Sequence, residues 1–155
     1  MAINKPFFVP QKEVDLIDAM NEELIDDIVG QTVDIYKISV DNTEINLYGE
    51  STTKYYDKGF RVNCLILYNE PSFTQDEFGP EFGGSIEMYF HRTTLKEASF
   101  YPEIGDIVDW NRQYYEMNTV VEPQLIAGHH GFNHQIKTMA HKIKQSNLQI
   151  EERIK

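Results

Sequence analysis

The chain has 155 residues, of which 41% are hydrophobic and 25% charged, values typical of one soluble globular domain with a core of its own and not of a disordered chain. The formal net charge of -11 repels phosphate and disfavours high-affinity wrapping of nucleic acid, although contact with DNA at a non-sticking wall stays open. Since no apolar run approaches the roughly 20 residues that cross a bilayer, and no signal peptide is recognisable, we expect a soluble, unsecreted protein with no membrane partner.

The first predicted element is a helix within residues 10–30. Pro10 precedes its apolar periodicity and Gly30 follows it, which are the residues expected at a helix start and stop. Acidic residues occupy the other positions and favour a solvated face over a catalytic pair of carboxylates. The apolar stripe expected to face the core consists of Val14, Ile17, Leu24 and Ile28.

After Gly30 the apolar period changes to two, which indicates strands. The candidates are rich in β-branched or aromatic residues and are separated by turn signals. They are Val33–Val40, Glu44–Tyr48, Phe60–Tyr68, Ser85–Arg92, Ile107–Trp110 and Gln113–Val121. Short strands of this kind predict a mainly β fold, a small barrel or sandwich over residues 31–145.

The only cysteine, Cys64, lies inside the apolar run Phe60–Tyr68. A small thiol in such a run packs as a core residue, and neither a basic residue nor a histidine adjoins it in sequence to lower its pKa. We therefore predict a buried, unreactive Cys64.

Residues 69–84 are predicted to form a long acidic loop, because they contain two prolines and three glycines. The aromatic side chains within it either anchor a partner or fold back over the open end of the barrel. The carboxylates of the loop are Glu70, Asp76, Glu77 and Glu81, and its aromatic residues are Phe73, Phe78 and Phe82.

The segment after Phe132 fits both a helical stripe and a strand face, so the pattern leaves its structure open. Four of the five histidines, His129, His130, His134 and His141, lie in or beside this segment. If the segment is helical, His130 and His134 are spaced to share a metal ion, which makes a metal-binding module the alternative from a different functional class. The spacing excludes His141 from that ion, and Gly131 stands where a zinc protease needs a glutamate.

Other catalytic patterns are missing from the sequence. Gly83-Gly84-Ser85 is not a nucleophile elbow, and no phosphate-cradling loop is present. Any two of the 25 acidic residues could be chosen as an acid/base pair, so none is singled out. We predict a non-enzymatic protein that needs no cofactor.

The end of the chain is basic, in contrast to the rest. From His129 onward it has five Lys or Arg residues and only two glutamates. This asymmetry suits a C-terminal arm, residues 146–155, lying on the acidic body of a neighbouring copy or on the chain's own body. The side chains expected to clasp a neighbour are Lys142, Lys144 and Arg153.

The order of several short motifs resembles the neck, or head-completion, protein family of T4-like tailed phages. After the helix and first strand come a Tyr-Gly-Glu-Ser turn at residues 48–51 and an apolar strand ending at Tyr68. Then follow the acidic Phe- and Gly-containing segment and Pro-Glu-Ile-Gly-Asp-Ile at 102–107. Tyr-Glu-Met at 115–117 and Val-Glu-Pro at 121–123 complete the series. The resemblance extends from about Met20 to Ile150.

The resemblance implies a single neck-protein-like domain and a strand over Gln135–Ile143. It also implies a virion protein, made in the host cytoplasm, that forms a ring, expected to be a hexamer. Portal and adaptor proteins would lie above this ring and the tail terminator below it, with duplex DNA passing through unbound. Loop 69–84 then becomes a candidate lumen gate. A tail terminator or baseplate subunit is the alternative within the same class.

Overall fold

The computed structural model describes residues 11–39, 54–76, 79–122, 133–144 and 148–150. Two helices and nine strands lie within these ranges. The helices are α1 (Gln11–Glu23), continued by a π-helical segment (Leu24–Val29), and α2 (Arg92–Glu97). The strands are β1 (Thr32–Tyr36), β2 (Lys54–Tyr56), β3 (Phe60–Asn63), β4 (Leu65–Asp76), β5 (Gly79–His91), β6 (Ile107–Trp110), β7 (Gln113–Val121), β8 (Gln135–Lys142) and β9 (Leu148–Ile150).

The predicted N-terminal helix is confirmed, and it ends at the expected glycine. Gly30 adopts the left-handed conformation (φ 55°) and donates its N–H to the Ile25 carbonyl at 3.0 Å. That geometry suits glycine because it has no Cβ to clash with the preceding turn.

Only one of the four residues predicted for the apolar stripe of this helix is buried, so the stripe is wrong for the other three. Val14 and Ile25 are buried, each 7% exposed, whereas Ile17, Leu24 and Ile28 are exposed. The sequence offers apolar residues on two sides of the helix, and periodicity alone does not choose between them. Polar anchors to the sheet, described below, decide which side packs.

Seven strands form one antiparallel sheet in the order β3-β1-β6-β7-β8-β5-β4. Strands β3 and β4 are separated only by Cys64 in the sequence, yet they lie at the two edges of the sheet. A single residue can join the two edges only if the sheet curls, so it forms a half-barrel. The mainly β prediction is therefore confirmed, and Gln135–Lys142 is a strand.

Both faces of this sheet bury apolar side chains. Ile35 and Tyr36 are neighbours in β1 and point to opposite faces, yet each is 0% exposed. Ile35 belongs to the main core inside the curl, together with Cys64. Tyr36 packs in a second cluster with Tyr56 beneath the small parallel sheet formed by β2 and β9.

The predicted burial of Cys64 is confirmed. Its side chain is 0% exposed, and burial raises the pKa of the thiol to about 12. At neutral pH this cysteine is therefore a protonated core residue.

The turn before β6 shows why its motif has glycine followed by aspartate. Gly105 has φ 96°, and a Cβ there would lie 2.9 Å from Ile38 Cδ1. Asp106 accepts the Glu103 N–H at 2.8 Å. Gly105 and Asp106 exchange backbone hydrogen bonds with Met117 of β7, which fixes the turn against the sheet.

The acidic segment 69–84 is not an irregular loop, because its described residues extend the strands on either side. Strands β4 and β5 pair from Leu65 with Tyr89 out to Asp76 with Gly79, and the register shifts between Asn69 and Ser72. Two features allow this segment to form strands although its glycines and prolines are typical of a loop. The shift places Pro71 at a bulge on an edge strand, where proline is tolerated, and the long ladder supplies cross-strand hydrogen bonds.

Two further elements differ from the prediction. The single strand expected over Phe60–Tyr68 is divided at Cys64 into β3 and β4, and the unpredicted helix α2 begins at the last residue of the expected strand Ser85–Arg92.

Of the two arrangements left open for the C-terminal arm, its described residues adopt the one on the chain's own body, since Leu148–Ile150 pair with Lys54–Tyr56 in parallel. Residues 44–48, predicted as a strand, and Arg153 lie outside the described ranges. None of the described helices is both long enough and apolar enough to span a lipid bilayer.

Candidate assembly surfaces

The acidic segment 69–84, which we call the acidic hairpin, positions two of the predicted aromatic residues across from each other. In the ladder Phe73 pairs with Phe82 and Thr74 with Glu81, while Glu70 falls within the register shift. Asp76 is the last paired residue of β4. Glu77 and Phe78 lie outside the described residues. The hairpin thus brings predicted gating and anchoring positions onto one two-stranded projection.

A buried histidine joins α1 to the sheet. His91, 2% exposed, lies with Nε2 at 3.0 Å from Asp18 Oδ1 and Nδ1 at 3.0 Å from Thr94 Oγ1. A carboxylate only accepts hydrogen bonds, so in the neutral imidazole Nε2 carries the proton and Nδ1 accepts from Thr94. Thr93 donates to the other Asp18 oxygen at 3.0 Å.

This Asp-His-Thr arrangement resembles part of a nucleophile triad, but its burial gives it a different use. The imidazole lies beneath α1 with both nitrogens engaged, so a substrate has no approach to it. Asn63 makes a second anchor, donating to Asp26 at 3.3 Å. Together these contacts hold the Val14 and Ile25 side of the helix against the sheet.

The opposite side of α1 is an exposed apolar row, which we call the α1 ridge. Its members follow one another at intervals of four residues, so they share one helix face. They are Leu16, Met20, Leu24 and Ile28, exposed by 60%, 61%, 42% and 70%. Exposed carboxylates of Glu23 and Asp27 run along its edge.

A second surface combines aromatic and basic side chains, and we call it the basic mouth. The rings of Tyr68 and Trp110 lie 6.0 Å apart, and Tyr68 is 49% exposed. Exposed Lys142 faces Tyr115 across the β7–β8 ladder, and the ring of Tyr115 lies 6.2 Å from that of Trp110. Exposed Arg112 and Lys144 complete the mouth at the β6–β7 turn and just beyond β8.

Two of the three predicted clasping residues therefore lie together. Lys142 ends β8, and Ile143 continues the ladder by donating its N–H to the Tyr114 carbonyl at 2.9 Å. This bond keeps the chain beside β7 as far as Lys144. The aromatic part of this surface is not predictable from the sequence, because Tyr68 and Trp110 come together only when the sheet curls.

An open cleft of about 310 Å³ lies beside α2, lined partly by Leu95, Phe100 and Ile136. Glu122 in its wall accepts from Asn133 at 3.0 Å, Arg92 at 3.1 Å and Tyr101 at 3.2 Å. The Asn133 bond is the largest influence holding the pKa of Glu122 below its ordinary value, followed by the bond from Tyr101 and the charge of Arg92. Three ionisable groups of the cleft, those of Arg92, Tyr101 and Glu122, thus satisfy one another.

The predicted histidine pair is only partly described. Burial lowers the pKa of His134, although nearby Asp18 acts in the opposite direction. His141 is exposed on β8, whereas His129 and His130 lie outside the described residues. Within the described ranges no group of three His, Cys, Asp or Glu side chains is placed to hold a metal ion.

The fold resembles that of one chain of a solved virion-like particle. A chain of a native gene transfer agent virion matches with a TM-score of 0.54 and 10% identity, covering 73% of this chain and 94% of that one. Protein xkdH of the phage-like element PBSX from Bacillus subtilis matches with a TM-score of 0.35 and 15% identity, covering 72% and 92%. No family model and no curated protein matches the sequence.

Proposed function

We propose that the chain is a structural subunit of a tailed-phage-like particle. Its role there is to form a ring in the neck that joins the DNA-filled head to the tail. The observation that carries the proposal is the fold shared with a chain of the gene transfer agent virion, 94% of which the match covers. The order of the motifs from the Tyr-Gly-Glu-Ser turn to Val-Glu-Pro supports the neck over other positions in such a particle.

The charge of the protein suits a ring through which DNA moves. A net charge of -11 disfavours the release of counterions that makes basic proteins adhere to duplex DNA. DNA would slide past such subunits without being held. In this proposal the ring, a hexamer, contacts portal and adaptor proteins on one side and the tail terminator on the other.

The acidic hairpin is the proposed gate of the ring. Strand β4 has twelve residues and β5 has thirteen. Together they extend past the neighbouring strand β8, which pairs with β5 only from Ser85 onward. At about 3.3 Å per residue, the part from Ser72 to Asp76 adds roughly 15 Å of reach. Its glutamates and aspartate would repel DNA that rests against it.

Replacing residues 74–81 by an Asn-Gly turn tests the gate. The pair Phe73 and Phe82 would then flank a two-residue turn suited to a hairpin, so the sheet below keeps its register. We expect particles with this protein to assemble but to lose packaged DNA from heads that lack tails. Retention of DNA at the level of the unchanged protein contradicts the gate while leaving the joining role intact.

Electron microscopy of particles made without this protein tests the joining role. DNA-filled heads lying beside finished but unattached tails are expected for a neck protein. Tails of uncontrolled length indicate a tail terminator instead, and tails lacking an end structure indicate a baseplate subunit. Normal particles would contradict every structural role.

A mass measurement in solution complements the electron microscopy of the particles. The chain mixed with portal and adaptor proteins should form a complex whose mass gives its copy number, expected to be six. A complex with the tail terminator alone would place the ring at the tail.

A further inference from the structure

The α1 ridge and the basic mouth have complementary character. Each exposes apolar surface that monomeric proteins normally cover, a row of aliphatic side chains in the first case and half-exposed Tyr68 beside Trp110 in the second. The ridge is convex because it lies on a helix. The mouth lies where β6, β7 and β8 end, and a Cβ at Gly84 would lie 3.8 Å from Lys142 Cβ and 3.9 Å from Tyr68 Oη, so these two side chains lie side by side over Gly84.

The charged residues assigned to the two surfaces have opposite signs. The segment Gln11–Val29 contains seven acidic residues and one lysine, and Asp18 and Asp26 are the two acids that anchor it to the sheet. Glu23 and Asp27, which border the ridge, are exposed to solvent. The basic residues of the mouth, Arg112, Lys142 and Lys144, are likewise exposed to solvent.

The two surfaces lie well apart along the β4–β5 pair. The helix anchors are His91, at the end of β5, and Asn63, just before β4 begins at Leu65 opposite Tyr89. The mouth lies at Gly84, seven residues back along β5, which corresponds to about 23 Å. One chain cannot close its own ridge onto its own mouth at this separation.

We propose that the α1 ridge of one copy docks into the basic mouth of the next, head to tail. Because the two partners use different surfaces, the contact is heterologous, and repeating it generates a ring or a filament. The inference rests on the ring-forming role proposed above and names the contact that builds the ring. Apolar packing supplies attraction, and the charge pairs at the rim fix the register and speed the association.

Charge reversal on each side tests the contact. The ridge variant is E23K/D27K, whose lysines also suit the C-terminal end of a helix. The mouth variant is K142E/K144E. Alone, each should self-associate about tenfold or more weakly than the unchanged chain in sedimentation velocity, because attraction between the rims becomes repulsion.

Mixing the two variants gives the decisive measurement. The basic ridge of the first matches the acidic mouth of the second, and the acidic ridge of the second matches the basic mouth of the first. An equimolar mixture should therefore regain large assemblies in which the variants alternate. Chains carrying all four substitutions should also associate with themselves.

Matched controls separate this contact from an effect of net charge. E97K/D57K changes the charge as much as the ridge variant does, but at exposed positions outside both surfaces. Similarly, K58E/K96E, at exposed positions outside both surfaces, changes the charge as much as the mouth variant K142E/K144E does. These controls should associate like the unchanged chain, and if they weaken association as much as the ridge and mouth variants do, the proposal is wrong.

Three other results would overturn the proposal. The first is that either charge-reversed variant self-associates as strongly as the unchanged chain. The second is that the mixture forms assemblies no larger than its separate components do. The third is that the unchanged chain stays monomeric at its highest soluble concentration. If rings form but ignore the reversals, this contact fails while the neck role stands. If the mixture recovers but the rings bind neither portal nor tail, the neck role fails while the contact stands.

Discussion

His91 shows how one polar residue sets the orientation of a whole helix. Its two nitrogens are used by Asp18 and Thr94, and a buried imidazole without an acceptor would cost free energy. The helix therefore docks with Asp18 inward, and the apolar residues on the other side stay in solvent. Periodicity cannot reveal this, because it reports hydrophobicity and not which hydrogen bonds a neighbour requires.

Replacing Asp18 by alanine should reduce the free energy of unfolding by about 1–3 kcal/mol, because His91 Nε2 and the Thr93 hydroxyl lose their acceptor. Urea denaturation followed by circular dichroism measures the change. Asp27→Ala, an exposed position on the π-helical end of the same helix, should alter stability by less than about 0.5 kcal/mol. Equal losses of unfolding free energy in the two variants would show that the contact between His91 and Asp18 contributes nothing to folding stability.

Asp106 predicts a pH dependence of stability. Burial raises the pKa of this carboxyl, although hydrogen bonds from the Glu103 and Ile38 backbone and the charge of Lys37 work in the opposite direction. As pH rises, the unfolded chain releases this proton before the folded chain does. Folding stability from this group is therefore greatest below the unfolded pKa and falls as pH rises through the raised folded value.

The variant Asp106→Asn removes that titration. The difference in unfolding free energy between the unchanged protein and D106N should shift against the unchanged protein as pH rises across the range just above the ordinary carboxyl pKa. Denaturation curves at a series of acidic pH values give the difference directly. A difference that stays constant with pH would contradict the raised pKa.

At the scale of elements, the two paired strands β2 and β9 show why the end of the chain is more than a clasping arm. Strand β9 pairs with β2, and Leu148 and Ile150 pack against the second cluster that contains Tyr36 and Tyr56. Tyr56 is 2% exposed, and burial is the main reason its pKa rises to about 12. Removing β9 would uncover this tyrosine.

The double variant Leu148→Ala and Ile150→Ala should lower the free energy of unfolding by about 2–4 kcal/mol, since both side chains are only partly buried. Gln149→Ala, exposed between them in the same strand, should change it by less than about 0.5 kcal/mol. Thermal and urea denaturation check both. If the double variant is as stable as Q149A, the strand contributes to partner contacts and not to the fold.

The acidic hairpin marks a limit of reading elements from composition. Two prolines and three glycines between residues 69 and 84 are what a loop contains, yet the segment pairs along nearly its whole described length. Each strand here is stabilised by its partner, so the local preference of any one residue counts for little. The bulge between Asn69 and Ser72 takes up the residues that do not fit the ladder.

For the whole molecule, the net charge of -11 makes a direct prediction about DNA. The chain and its assemblies should not retard duplex DNA in a gel at roughly 0.1 M salt, because few phosphates would be neutralised on contact. Retardation that weakens steeply with added salt would contradict a non-adhesive channel wall. Such a result would implicate the exposed basic residues of the mouth in binding DNA.

The sequence by itself determined the fold class, the helix and its stop at Gly30, most strand positions and the burial of Cys64. These follow from local periodicity, turn residues and hydrophobicity, which are properties of neighbouring residues. Only the tertiary structure decided which side of α1 is buried, that the acidic segment is a hairpin, and that Tyr68 and Trp110 meet beside Lys142. Each of these depends on contacts between residues far apart in the chain, made only once the sheet curls.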